Sequence, residues 1–551
     1  MAELAFLWHM HQPDYRHPET GEFVLPWVLL HAIKDYADMA CHLERHPGVR
    51  ATVNFVPVLL DQVDDYSAQF ASGQWRDPLL RVAAASAPEA ISAADRQWLL
   101  DLAFRCYAPT MLEPFAPFRR LRDLYRHLQS NGGNGIAYLS GTYFTDLATW
   151  MLLTWSGESL RRFEAPIAGL MARGEGFTLA ERQALLASLG RVVSGLVPRY
   201  RALVERGQVE ISCTPQAHPL APLLLDFASA REAWPDCPLP AAPGYPGGRS
   251  RVEAHLDQAC NSHIARFGVP AQGLWPAEGA LSEAFLNLIG QHELGWVASS
   301  HGVLRHSAGH DASPYQPWRA PAGGPEGLRL FFRDERLSDL IGFEYAKWHG
   351  RDAAQDFVAN VTRIARSQPQ AVIPVFLDGE NAWEYYPYNG WYFFDDLYSA
   401  IEAQQEFRTT TLADAARDHR DGPQLPRLVA GSWVYGTLST WVGNPDKNRA
   451  WELLCEAKQS ADRALGSGHF SAAAEQAIRD RLTVCESSDW FWWFGDYNPG
   501  AAVADFDALF RANLRALYRL LALPEPPSLG HPLCQGGGHA ESGGTMRRAT
   551  A

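Results

Sequence analysis

The sequence predicts an α/β barrel with helical insertions and a helical C-terminal region, on three observations. Short apolar runs end abruptly in polar groups: Leu4 to Trp8 runs into His9, His11 and Gln12, and Ala371 to Leu377 runs into Asp378, Glu380 and Glu384. Such runs read as parallel strands buried on both faces, whose C-terminal ends carry the chemistry of a barrel. A helix predicted from Leu179 to Arg206, with Thr178 as N-cap, is closed by Gly207 and followed at once by the strand-like GQVEI. That order is the repeat of a βα-barrel. The last third has helical periodicity instead, over Asp446 to Leu465, Ala472 to Cys485 and Val503 to Leu521.

The remaining elements follow in order. A helix is predicted near Leu29 to Arg45 and a second strand over Arg50 to Val56. The Ala/Leu/Arg-rich stretch from about Tyr66 to Leu128 is too long for a plain βα loop and reads as a helical insertion walling a cleft. After the Gly-rich break Asn131 to Gly135, Ala137 to Leu152 is apolar and aromatic. The stretch Trp234 to Ser250 is a Pro/Gly loop, and a helix over Arg251 to Phe267 precedes GLWPAEGALS. Strands over Leu294 to Ser299 and Leu328 to Phe332 complete the alternation. The expected domains are a catalytic barrel over 1–400 with an insertion at about 66–130, a helical domain over 401–525 that contributes to the cleft, and a disordered tail over 526–551.

Composition limits the function. The 551 residues carry a net charge of -14 and no basic stretch, which argues against a nucleic-acid partner. Aromatic residues make up 12% of the chain, with 19 Trp, a content that suits carbohydrate recognition or a large core. The eight cysteines are scattered without a CxxC pair, so neither a zinc cage nor a disulfide framework is indicated. The N-terminal apolar run is too short for a signal peptide or membrane span, and a reducing cytoplasm is the simplest location. No cofactor or structural metal is expected.

Candidate chemistry sits at the strand ends. Asp378 beside Trp383, and Glu278 beside Trp275, are two carboxylates each next to an aromatic face, the requirement for nucleophilic and acid/base work on a sugar ring. Solvated loop carboxylates are the alternative. His9 and His11 alternate on one strand face and suit metal, sugar hydroxyls or a purely structural role. Glu210 and His218 are candidates for the sugar site or the layer behind it. Arg333, next to Asp334, either orients a catalytic carboxylate or forms an ordinary ion pair. The acidic neighbours Glu380 and Glu384 are expected to raise the Asp378 pKa, while Arg333, His11 or His301 supplies donors that keep Glu278 ionised.

Taken together the motifs resemble glycoside hydrolase family 57. HMHQP is similar to its first signature, GQVEI to the second, LWPAEG to the third, FLDGENAWEYYP to the fourth and GSWVYGTLSTWVGNPDKNRAW to the fifth, and SSDWFWWFGDYNP also resembles a stretch seen in members. The LDGEN form resembles the α-amylase and amylopullulanase branch more than the branching-enzyme branch. The resemblance implies an incomplete (β/α)7 barrel and retaining action on α-glucosidic bonds, with Glu278 as nucleophile and Asp378 as acid/base. It implies an α-glucan oligosaccharide or polysaccharide as partner, a sugar contact by His11, and stacking by Trp275, Trp441 and Trp490, with Trp493 a further candidate from DWFWW. PQAH at 215–218 departs from the more aromatic form of that branch.

Three alternatives stay open: a glucanotransferase or branching enzyme using the same carboxylates, a metal-dependent deacetylase or mannosidase-like barrel, and a noncatalytic α-glucan-binding protein. Nothing in the spacing reports oligomeric state, linkage preference or chain length.

Overall fold

The structure is a computed structural model describing residues 1–130 and 134–538. Its strands in chain order are β1 (Ala2–Met10), β2 (Ala51–Phe55), β3 (Val209–Ser212), β4 (Gly273–Leu274), β5 (Trp296–Ser300), β6 (Trp318–Arg319), β7 (Arg329–Arg333), β8 (Val372–Asp378) and β9 (Phe407–Thr410). Parallel pairing runs β3-β2-β1-β8 in one sheet and β4-β5-β7 in another. The Cys213–Leu274 bridge joins β3 to β4, and Asp334 N donates to Pro374 O at 2.7 Å between the ends of β7 and β8. Seven parallel strands therefore close into a barrel, sparsely bonded at the β7/β8 seam. Pro374 belongs at that seam because its ring removes a donor on the side where the ladder is already thin.

The apolar runs behave as expected of strands covered on both faces. Every residue of β1 is buried, with Phe6 and Trp8 facing the outer helices and Ala5 and Leu7 facing a barrel interior shared with Trp275, Trp296, Phe331 and Phe376. The predicted helices appear at Gly248–Phe267, Leu179–Glu205, Pro445–Gly466, Ala472–Cys485 and Gly500–Leu520, the second opened by a Thr178–Glu181 capping box. The helix after β1 runs from Trp27 to Arg45 with a π turn at Ala32–Tyr36.

Three expected boundaries are corrected. The helical excursion between β2 and β3 runs from Pro57 to Glu205, far beyond 66–130, because Gly141–Thr154 folds against it as a further buried helix. The barrel unit extends past residue 400, since β9 pairs with β1 (Ala2 opposite Phe407, Ala5 opposite Thr410) and the helix Leu412–Asp418 plugs the barrel's lower end. The tail is ordered to residue 538: Leu529 and Cys534 are buried, and Leu533 N donates to Asp507 Oδ1 at 2.8 Å. Most of the Asn131 to Gly135 break, and the tail from 539 onward, lie outside the described residues.

Candidate active site

The upper ends of the strands converge on one cavity. His9, at the last turn of β1, is in register with Asn54 of β2 and Asp378 of β8, so these three residues form one layer. His9 Nδ1 donates to Asn54 Oδ1 at 2.7 Å, and Thr214 Oγ1 donates to the same oxygen at 2.9 Å. Burial, together with the nearby His11, pushes His9 down to about 3, so it is a neutral imidazole. Gly379 makes the turn after Asp378 possible: its N donates to His9 O at 2.6 Å, and an added Cβ would lie 2.0 Å from the Met10 sulfur.

Glu278 reaches the same cavity by a strained route. It sits at φ 58°, a conformation a side chain with a Cβ adopts only when its surroundings impose it. Those surroundings are the segment at Gly431–Trp433, which zips against the loop through Leu281 N to Gly431 O (2.9 Å), Gly431 N to Leu281 O (3.1 Å) and Trp433 N to Glu278 O (2.9 Å). The side chain then accepts from Trp433 Nε1 at 3.0 Å and Ser488 Oγ at 3.4 Å, with His218 Nδ1 at 3.9 Å.

Glu278 and Asp378 line this cavity together with His9, His11, His218, Arg333, Glu380, Asn381, Trp433, Asp489, Trp492 and Trp493. Burial, reinforced by Asp489, pushes Glu278 up to about 8, and burial pushes Asp378 up to about 6 against the pull of Asn381, His11 and Arg333. The pair thus spans neutrality and holds one proton between the two carboxyls near pH 7.

This order differs from the expected one. Burial, followed by the like charge of Asp378, raises Glu380, whose Oε1 accepts from His11 N at 3.1 Å, while Glu384 turns away to accept from Tyr107 N at 3.2 Å. The donors to Glu278 are Trp433 and Ser488, not Arg333, His11 or His301. Arg333 donates to Phe376 O at 2.8 Å and to Asp339 at 2.8 Å from the cavity wall on the Asp378 side.

The histidines at the cavity form a stack, with ring centroids 3.8 Å apart for His11 and His218 and 5.2 Å for His9 and His218. His11 Nε2 pairs with Asp489 Oδ2 at 2.9 Å, and His218 Nε2 is buried without a hydrogen-bond partner. His11, His218 and Asp489 bring one ligand atom each within 4.8 Å of one another, the set that could hold a metal ion.

Several aromatic and polar candidates lie elsewhere. Trp275 is a fully buried floor element of the barrel core, edge-on to Trp433 at 5.0 Å. Trp383 is buried against Trp8 and Phe394, its Nε1 bound to Gly379 O at 2.7 Å, so it clamps the turn after Asp378. Trp441 is buried against Trp492, and Trp490 packs on Phe506 and Phe510. His301 opens the helix His301–Ala308 and contacts Ala312 O at 3.3 Å, away from the cavity. Glu210 lies in the barrel base, accepting from Trp296 Nε1 (2.6 Å), Thr52 Oγ1 (3.0 Å) and Ala413 N (2.8 Å), where it ties down the plug helix. Of the tryptophans singled out, Trp493 reaches the cavity; Trp433 and Trp492 join it, and Asp489 is the carboxylate that strand-end reasoning missed.

Among the described residues no helix is long and apolar enough to cross a membrane. No curated protein matches the chain. Among solved structures it is similar to a GH57-type branching enzyme from Pyrococcus horikoshii (14% identity, TM-score 0.58, covering 96% of this chain and 93% of that one). It is also similar to a GH57 branching enzyme from Thermococcus kodakaraensis (14%, 0.58, 94% and 90%) and to the α-amylase AmyC from Thermotoga maritima (12%, 0.56, 94% and 93%). The model of glycosyl hydrolase family 57 matches residues 5–425, which include both strand-end carboxylates, and the chain belongs to that family.

Proposed function

We propose that the protein is a retaining enzyme acting on α-glucosidic bonds of α-glucans, in the manner of an α-amylase or amylopullulanase. Glu278 is the nucleophile and Asp378 the acid/base. The observation that carries this reading is that the two carboxylates, from different strand ends, open into one cavity walled by Trp433, Trp492 and Trp493. Asp378, protonated, gives its proton to the leaving glycosidic oxygen while Glu278 attacks the anomeric carbon to form a glycosyl-enzyme. The positive charge that grows on the sugar favours the ionised form of Glu278, and the Trp433 and Ser488 donors favour it further. Asp378 then takes the proton of the incoming water or sugar hydroxyl. Arg333 on the Asp378 side favours its return to the ionised form.

Incubation with maltoheptaose and with pullulan, followed by sizing and linkage analysis of products, tests the reading. Shorter oligosaccharides support hydrolysis, longer ones transfer by a glucanotransferase, and new α-1,6 branch points a branching enzyme. Glu278→Gln and Asp378→Asn should each lower turnover by at least about a thousandfold. Azide should rescue a Glu278→Gly variant with inverted anomeric configuration; rescue confined to position 378 would reverse the roles. The His11, His218 and Asp489 set favours one second reading, a metal-dependent enzyme. Activity that disappears with chelator and returns with Zn²⁺ would establish that second reading instead.

A further inference from the structure

Glu486 is fully buried yet collects four charged or polar donors. Arg251 Nε approaches Oε1 at 2.8 Å and Oε2 at 3.1 Å, Arg251 Nη2 lies 2.9 Å from Oε2, His255 Nε2 2.8 Å from Oε2, and Tyr245 OH 2.6 Å from Oε1. Arg251 and His255 belong to the helix Gly248–Phe267, and Tyr245 to the loop before it. A buried ion pair of this kind is a weak source of net stability, because desolvation offsets most of the attraction. What it fixes is geometry.

Two chain segments leave this cluster for the cavity. His255 donates from Nε2 to Glu486, so its Nδ1 is an acceptor facing Ala217 N at 3.4 Å, and His255 O accepts from Gln216 N at 3.1 Å. The next residue, His218, is held at φ 56°. On the other side Glu486 leads directly into Ser487 and Ser488. Ser487 Oγ donates to Asp489 Oδ2 at 2.6 Å, Ser488 N donates to His218 O at 2.9 Å, and Ser488 Oγ pairs with His218 Nδ1 at 2.8 Å. The two segments therefore meet at Ser488 Oγ, which lies 3.4 Å from Glu278 Oε1.

We infer that Glu486 is a positioning residue for the reaction: its buried cluster sets the 216–218 and 487–489 segments so that Ser488 Oγ–H faces the Glu278 carboxylate. The inference rests on the assignment of Glu278 as nucleophile. Besides Ser488, Glu278 faces Asp378 from β8, Asp489 from the helix Ser488–Trp493, His218 from the loop after β3, and His9, His11, Glu380 and Arg333 across the cavity. Ser488 is the donor in that set whose place the Glu486 cluster decides. Its hydrogen bond favours the ionised carboxylate.

The test uses the full chain with maltoheptaose. Ser488→Ala should lower kcat roughly tenfold with KM within about twofold, and, because Glu278 is the higher of the two carboxyls, move the alkaline limb of the pH profile of kcat/KM up by about half a unit to one unit. Ser488→Thr, which keeps a hydroxyl, should restore both. Glu486→Gln should move the same limb in the same direction. Should Glu486→Gln fail to fold, Tyr245→Phe removes one donor from the same carboxylate, and a smaller shift of the same sign is expected. Thermal melting separates folding from positioning: a lowered Tm with an unmoved pH limb assigns the cluster a structural role only and overturns the inference. Glu278→Gln without turnover beside a Ser488→Ala variant equal to the wild type overturns the positioning role alone. Full turnover in Glu278→Gln overturns the assignment of Glu278 and the inference with it.

Discussion

Replacing Glu278 by Gln should make the protein more stable in alkali while removing its activity. The wild-type carboxyl is raised from an ordinary 4.5 to about 8, chiefly by burial and by Asp489. Its unfolded form therefore loses its proton near 4.5 while the folded form keeps it to about 8. Stability drains away as pH rises through that window and is complete below it, the reverse of a salt-bridged carboxylate. Integrated, the loss is about 1 kcal/mol at pH 5 and between about 4 and 5 kcal/mol at pH 8.5. Glutamine carries no proton to lose, and its amide oxygen still accepts from Trp433 Nε1. With an unfolding entropy of roughly 2.1 cal/mol/K per residue, the advantage of the variant in Tm should grow by about 3 °C between pH 5 and pH 8.5. The assay is calorimetry of both proteins at the two pH values, with scan rate held constant because a chain of this size can unfold irreversibly. A difference in Tm that is the same at both pH values, or larger at pH 5, would refute the account of the site.

Trp433→Phe keeps an aromatic wall but removes the 3.0 Å donor to Glu278, and should cut kcat about tenfold while moving the alkaline limb of kcat/KM up by roughly one unit, read from the pH profile. Arg333→Met removes a cation that lowers the Asp378 pKa, the lower of the pair, so the acidic limb should move upward, measured on the same profile. Trp492→Ala, at the cavity, should raise KM for maltoheptaose roughly tenfold with little change in denaturation midpoint. Trp490→Ala, in the core, should instead destabilise by about 3 to 5 kcal/mol with KM unchanged among folded molecules.

Much of the barrel was legible because parallel strands covered on both faces must be continuous apolar runs, as in Leu4 to Trp8 and Ala371 to Leu377. β4 was marked only by its polar end at Glu278, since two residues, Gly273 and Leu274, carry no periodicity. The plug helix and β9 escaped notice for a different reason: Phe407–Thr410 has the polar alternation of a loop, and only its pairing with β1 makes it a strand. At the site, Glu278 and Asp378 were marked by abrupt polarity at the ends of apolar segments. The tryptophans could not be sorted locally. Trp490 and Trp493 lie three residues apart on one short helix, yet one packs on Phe510 and the other borders the cavity. Asp489 carried no local signal, because its partner His11 is 478 positions away. The upward shift of Asp378 was legible in direction but not in cause: burial produces it, while Glu380 and Glu384 turn their carboxylates to the backbone amides of His11 and Tyr107.

The family match ends at residue 425, whereas Trp433, Ser488, Asp489, Trp492 and Trp493 lie beyond it. One face of the cavity is thus borrowed from a part of the polypeptide that does not build the strands. Grafting the stretch from 487 to 493 from another member would exchange the wall that meets the sugar chain and, with it, Ser488 and Asp489, the groups that tune the Glu278 carboxyl. The wall that meets the sugar chain and the groups that tune the nucleophile are carried on the same part of the chain and change together.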